Sequence, residues 1–222
     1  MSSANLGAIL TGVGIAVLML VVLPFALHST QLGTSGLFAP GNLETRFFAS
    51  GQSFSNYAIF WHMLLGGVLT LLIPLQLLSA LRNRWPIVHR WSGRFLCGCG
   101  LLTGVGGLGY ITLRGTIGGV WMDAGFALYG VLLCLSAFQA IRYARAKRFA
   151  DHRRWALRLF VLSMGSWLYR VHYGVWFALT DGIGSTPAFD GAFDLFQNVA
   201  FFLPYLFLLE LWLRAGNRKT NA

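Results

Sequence analysis

Residues 6–27 read LGAILTGVGIAVLMLVVLPFAL and contain no charged side chain. At 1.5 Å rise per residue, about 20 such residues cover the roughly 30 Å hydrocarbon core of a bilayer. Further apolar runs follow at residues 57–81, 92–113, 122–141, 155–179 and 195–213. Charged residues make up only 11% of the 222-residue chain and fall in short blocks between the runs, which excludes a soluble fold. The expected fold is all-α: a polytopic transmembrane bundle of six spans, one domain over residues 1–222. Pro74 is expected to kink the second span. Residues 28–56, Gly- and Ser-rich and without clear periodicity, read as a long outer loop. The opening residues Met1 to Asn5 lack the basic start of a secretory signal, so the first run is expected to be retained as a span.

The blocks of charge set the orientation. Arg82, Arg84, Arg90 and Arg94 lie between the second and third runs; Arg142, Arg145, Lys147, Arg148, Arg153, Arg154 and Arg158 lie between the fourth and fifth. Arg214, Arg218 and Lys219 close the chain, while the other side holds Arg46, Arg114, Glu44, Asp123, Asp181, Asp190 and Asp194. Basic loops stay in the cytoplasm, so both termini are expected there, in a multi-pass protein of a bacterial inner membrane. The same rule accounts for the net charge of +10 without a nucleic-acid partner. Cys97, Cys99 and Cys134 fall inside apolar runs and read as small packing residues. The third span carries Gly98, Gly100, Gly104, Gly106, Gly107 and Gly109. Gly100 and Gly104 share a helix face, which admits either a closely packed neighbour or a flat cofactor or lipid tail.

Two cytoplasmic loops echo one another. One reads Pro86-Ile87-Val88-His89-Arg90-Trp91-Ser92-Gly93-Arg94, the other Asp151-His152-Arg153-Arg154-Trp155. Each sets a His-Arg pair beside a Trp at the membrane interface, hinting at a two-helix repeat. The set His89, Arg90, Arg94, His152, Arg153 and Arg154 either anchors helices in the interface or holds an anion or lipid headgroup.

These motifs, with His62, Gly66, Gly67, Pro74-Leu75-Gln76 and Arg170, resemble a family of bacterial integral membrane proteins catalogued as domain of unknown function 2306. The resemblance covers roughly residues 57–175 and leaves the first and last spans outside. Ile73 stands where the family tends to have Gly, and Ala156 where it favours Met. The resemblance implies a membrane topology and no settled activity.

Ionisable residues at membrane depth are the best pointers to function, because burying them unpaired is costly. His62 and His172 lie at similar depths on separate spans, about 8–10 Å below the outer edge by helix rise. They are expected to face one another as axial ligands of a b-type haem, with Gly66 leaving room and Tyr169 and Trp176 lining the pocket. Arg170, near the middle of its span, would support a haem propionate, a quinone oxygen or a lipid phosphate. Glu210 is an alternative partner, roughly 10 Å away in depth. A metal site including His28 is a further reading. Three functions compete: haem-based electron transfer with a redox partner or quinone, transport or anion binding through the basic loops, and a non-catalytic scaffold. No hydrolase, nucleotide-binding or zinc-protease motif is present, and whether the protein is an enzyme stays open.

Overall fold

The computed structural model describes residues 3–40 and 43–220, with side chains for 6–40 and 43–216; the terminal cations Arg218 and Lys219 lie outside the described side chains. The described secondary structure is entirely helical: α1 (Ser3–Phe38), α2 (Ser53–Leu72), α3 (Ser79–Arg84), α4 (Pro86–Arg114), α5 (Gly119–Arg145), α6 (Phe149–Thr180), α7 (Ala192–Ala200) and α8 (Leu203–Thr220). Five segments are long and apolar enough to cross a membrane: Leu6–Phe38, Ser53–Leu77, Pro86–Arg114, Gly119–Arg145 and Ala192–Gly216. The last of these runs through α7 and α8, which break at the fully buried Phe201 and Phe202 just before Pro204. At 32 residues α6 is long enough, but Ser163, Ser166, Tyr169, Arg170 and Tyr173 dilute its apolar run. That spacing puts a polar stripe on one face, and the stripe turns inward.

Two expectations change. The first helix continues to Phe38, so His28 sits inside it and the outer loop is correspondingly shorter. Residues 28–36 look like loop because they are small and polar, yet they are the side of α1 that meets α2. Ser29 Oγ donates to the Met63 carbonyl at 2.8 Å, Thr30 and Thr34 bond back to their own helix, and Gly33 and Gly36 lie against Leu64 and Phe60. Small residues let the two backbones approach, as membrane helix pairs commonly do. Pro74 does more than kink its span: α2 ends at Leu72 and a 3-10 turn, Ile73–Leu77, leads into α3.

Successive long helices pack side by side in the order α1, α2, α4, α5, α6. The glycines of α4 serve three neighbours. Gly100 lies against Ala137 of α5 and Leu159 of α6, and Gly104 against Gly130 and Cys134 of α5; Gly106 and Gly107 lie against Ala58 and His62 of α2. The ring closes at its basic end, where Thr70 Oγ1 of α2 donates to the Ser163 carbonyl of α6 at 2.9 Å. Below this point Ile73, Leu96, Ala137, Leu159 and Leu162 form the packed core.

Arg158 of α6 grips Glu210 of α8 with two bonds, Nε to Oε1 at 2.6 Å and Nη2 to Oε2 at 2.9 Å. Glu210 is therefore paired with Arg158, which stands at its own level, and the possible pair with Arg170 does not form. Both groups are partly buried, so the pair is worth more than a surface bridge and less than a fully desolvated one. Glu210→Ala is expected to cost about 2 kcal/mol. Exchanging the two residues should recover part of that loss. Thermal unfolding in detergent, followed by a thiol dye reacting with the buried Cys97 and Cys99, checks both outcomes.

Candidate functional site: a cavity inside the bundle

Above the Thr70–Ser163 contact the helices part around a cavity of about 710 Å³, within the range of pockets that enclose drug-sized molecules. Its walls come from α1, α2, α4, α5 and α6, and its outer rim from Arg46, Phe47, the 115–117 turn and Phe189. Ten residues separate Tyr173 at the rim from Ser163 at the floor, so the cavity reaches about 15 Å into the bundle.

Most of the lining is apolar, with polar groups set at a few positions. His62 Nδ1 lies 2.8 Å from the Thr103 carbonyl, an arrangement that fixes the ring. Thr103 Oγ1 and Thr116 Oγ1 are buried at the wall with no protein hydrogen-bond partner. Tyr129 donates its hydroxyl hydrogen to the Leu162 carbonyl at 2.6 Å, leaving its oxygen as an acceptor. Tyr169 donates to Tyr173, and Tyr173 donates to Asp194 Oδ1 at 2.6 Å. Asp194 is fully buried and also accepts from Ser185 Oγ, Thr186 N and Gly191 N, so its charge is spent locally.

Arg170 is the unusual group. Its Nη1 donates to the Ser166 carbonyl at 2.8 Å and its guanidinium lies 4.8 Å from the Phe25 ring centre across the gap to α1. Among the described residues no carboxylate reaches it within 4 Å. It remains accessible despite its depth, because it borders the cavity. At the rim, Arg46 rests on Phe47 and Phe189, while Arg114 donates to the backbone carbonyls of Phe47 and Arg46.

The expected histidine pair does not assemble. His172 turns away from the cavity: its Nδ1 meets the Gln197 amide and its Nε2 lies 2.7 Å from the Tyr205 hydroxyl. Depth was matched but helical phase was not. Two residues rotate a side chain by about 200°, so it is Arg170 whose charge acts on His62. Tyr169 lines the cavity as expected, whereas Trp176 bonds the Ile183 carbonyl and stacks on Phe193. His62 lines the cavity and His172 does not, so the two rings do not face one another across it. His28 is exposed on α1, and the described residues hold no group of three or more His, Cys, Asp or Glu suited to a metal ion.

At the basic end, His89 and His152 are each the fourth residue of their helix and lie within electrostatic reach of one another and of Arg82. The other members of that set have local partners. Arg90 bonds the Pro86 carbonyl, Arg94 lies over Trp91, Arg153 over Trp212, and Arg154 lies 3.9 Å from Asp151. His152 Nδ1 lies 2.8 Å from the Ala140 carbonyl.

Sequence reasoning missed Ser163, Ser166, Tyr173, Thr103 and Arg46. The signal for the first three was available in the polar stripe of α6, spaced three and four residues apart.

The apolar helices define a polytopic helical membrane protein, and the cavity between them has room for a small molecule. No curated protein and no solved structure matches the chain. The chain belongs to the family described as predicted membrane protein (DUF2306), which matches residues 59–213. The match includes the final span, which the motif-based resemblance had left outside, and it omits α1.

Proposed function

We propose that the protein crosses a bacterial cytoplasmic membrane six times, with both termini inside, and works by holding a small molecule in the bundle cavity. The sixth span is α6, whose polar stripe lines the cavity. The orientation follows from the basic residues gathered at the end where α2 leads into α4 and α5 into α6. One observation carries the functional reading: a cavity of ligand size whose wall presents an arginine that, among the described residues, has no acidic partner. A group left in that state inside a membrane favours a bound species that supplies what it lacks.

Native mass spectrometry of protein released from nanodiscs tests this. Wild type is expected to carry a one-to-one small-molecule adduct, and Ile111→Trp, which fills the cavity from α4, is expected to lose it while unfolding at a similar temperature. Adduct-free wild type, or an adduct indifferent to Ile111→Trp, would overturn the reading.

A haem-based redox role is the second reading, favoured by the His62 ring alone, since the Thr103 contact fixes Nδ1 and leaves Nε2 for a ligand. Absorption spectra before and after dithionite, on protein made in haem-replete cells, are expected to show no sharp reduced band. A band lost in His62→Ala would reverse that expectation.

A further inference from the structure

We infer that the ligand is a single-chain amphiphile with an oxyanion head, which enters sideways from the bilayer between α1 and α6 and is held by Arg170. This rests on the cavity reading and adds the ligand's class and its route.

The head group follows from charge. Arg170 uses Nη1 on a carbonyl and rests on the Phe25 ring, and neither contact neutralises a cation. Arg46 at the rim is likewise held by aromatic rings. The nearby acid, Asp194, is saturated by four donors and lies behind Tyr173. An arginine inside a membrane is stable when an anion pairs with it, and a carboxylate or phosphate oxygen pair matches its fork. The His62 ring lines the same cavity as a further polar contact.

The chain follows from the walls. Phe25, Ile59, Met63, Leu69, Phe126 and Leu133 offer an apolar lining to a cavity sized for one drug-like molecule. The route follows from packing. α6 touches α2 at Thr70 and Ser163 and leaves it above that point. α1 packs along α2 and makes little contact with α6, so Arg170 over Phe25 spans the gap. One turn beyond Arg170, a side chain at Gly174 would meet nothing within 4 Å. Arg170 itself is accessible, as a residue at a threshold would be.

The test loads the full chain in phosphatidylcholine nanodiscs with four oleyl compounds and reads adducts by native mass spectrometry. The probes are oleate, oleoyl lysophosphatidate, oleyl alcohol and oleylamine. One or both of the first two are expected to bind, and which one does separates a fatty acid from a phosphate lipid. The alcohol and the amine should bind at least about tenfold more weakly, as should oleate to Arg170→Gln, while Arg170→Lys, which keeps the charge but not the fork, loses less than Arg170→Gln. Gly174→Trp is expected to slow loading several-fold. Equal binding of all four probes, or oleate binding indifferent to Arg170→Gln, overturns the head-group assignment. Unchanged loading of Gly174→Trp overturns the route. If Ile111→Trp still removes the native adduct in either case, the cavity reading stands; if adducts persist there, the cavity reading itself has failed. Should Arg170→Gln not fold, the preference of wild type for oleate over oleylamine decides the head group by itself.

Discussion

Asp194→Ala is expected to destabilise the protein by about 3 kcal/mol or more, the largest loss among the substitutions considered. The carboxylate is fully buried and accepts hydrogen bonds from Tyr173, Ser185, Thr186 and Gly191. Bonds to a charged acceptor are worth about 1.5–3 kcal/mol each, and removing it strands four donors in a space too tight for easy hydration. These donors tie the 181–191 segment, the start of α7 and the wall of the cavity to one point. Thermal unfolding by thiol-dye reactivity measures the loss. Hydrogen exchange should also show faster opening of residues 181–191 in the variant. Asp194→Asn is expected to recover part of the stability, since its carbonyl oxygen still accepts. An alanine variant as stable as wild type would mean that the network has little energetic weight.

Gly106→Leu is expected to cost about 3 kcal/mol, at the upper end of overpacking. A Cβ at this position would stand 2.7 Å from the Ala58 carbonyl oxygen and 3.2 Å from the His62 Cβ. The first contact is backbone, which cannot rotate aside, so α2 must move away from α4. His62 rides on α2, and its hold on the Thr103 carbonyl should weaken with the shift. Gly98→Leu is the matched control, because nothing lies within 4 Å of a Cβ there. It should leave the unfolding temperature close to wild type. Equal losses in the two variants would show that helix propensity or insertion, rather than the α2–α4 contact, governs the effect.

How much of this was legible beforehand depends on the kind of signal. Apolar runs long enough to span a bilayer stand out in any reading, and the five recognised spans lie where the runs are. The end of α1 was hidden because His28, Ser29, Thr30, Gly33 and Gly36 look like loop residues. Within a helix pair, the same smallness is what lets backbones touch and hydroxyls bond carbonyls. Arg170 and His62 stand out in the sequence because an ionisable group at depth needs a reason to be there, and both line the cavity. His172 was misdirected because depth along a helix can be counted from sequence whereas phase relative to a neighbour cannot. Depth along the chain offers Glu210 only Arg170 as a partner, and the pairing with Arg158 needs the position of α8. The cavity itself arises where α2 and α6 diverge, a property of three-dimensional packing with no linear signature.

The polarity of α6 has a consequence for how the protein is made. A helix with Arg170 at its centre and serines and tyrosines beside it is a poor candidate for entering lipid alone; a central arginine by itself disfavours insertion by about 2.5–3.5 kcal/mol. α5, by contrast, is apolar enough to enter unaided and is joined to α6 by residues 146–148 only. On the six-span topology proposed above, the two helices should enter the bilayer as a hairpin, with α5 shielding its partner. Biogenesis of the protein then hinges on that pair: a lesion in α5 would be felt first as failure to insert α6, before any effect on the finished fold.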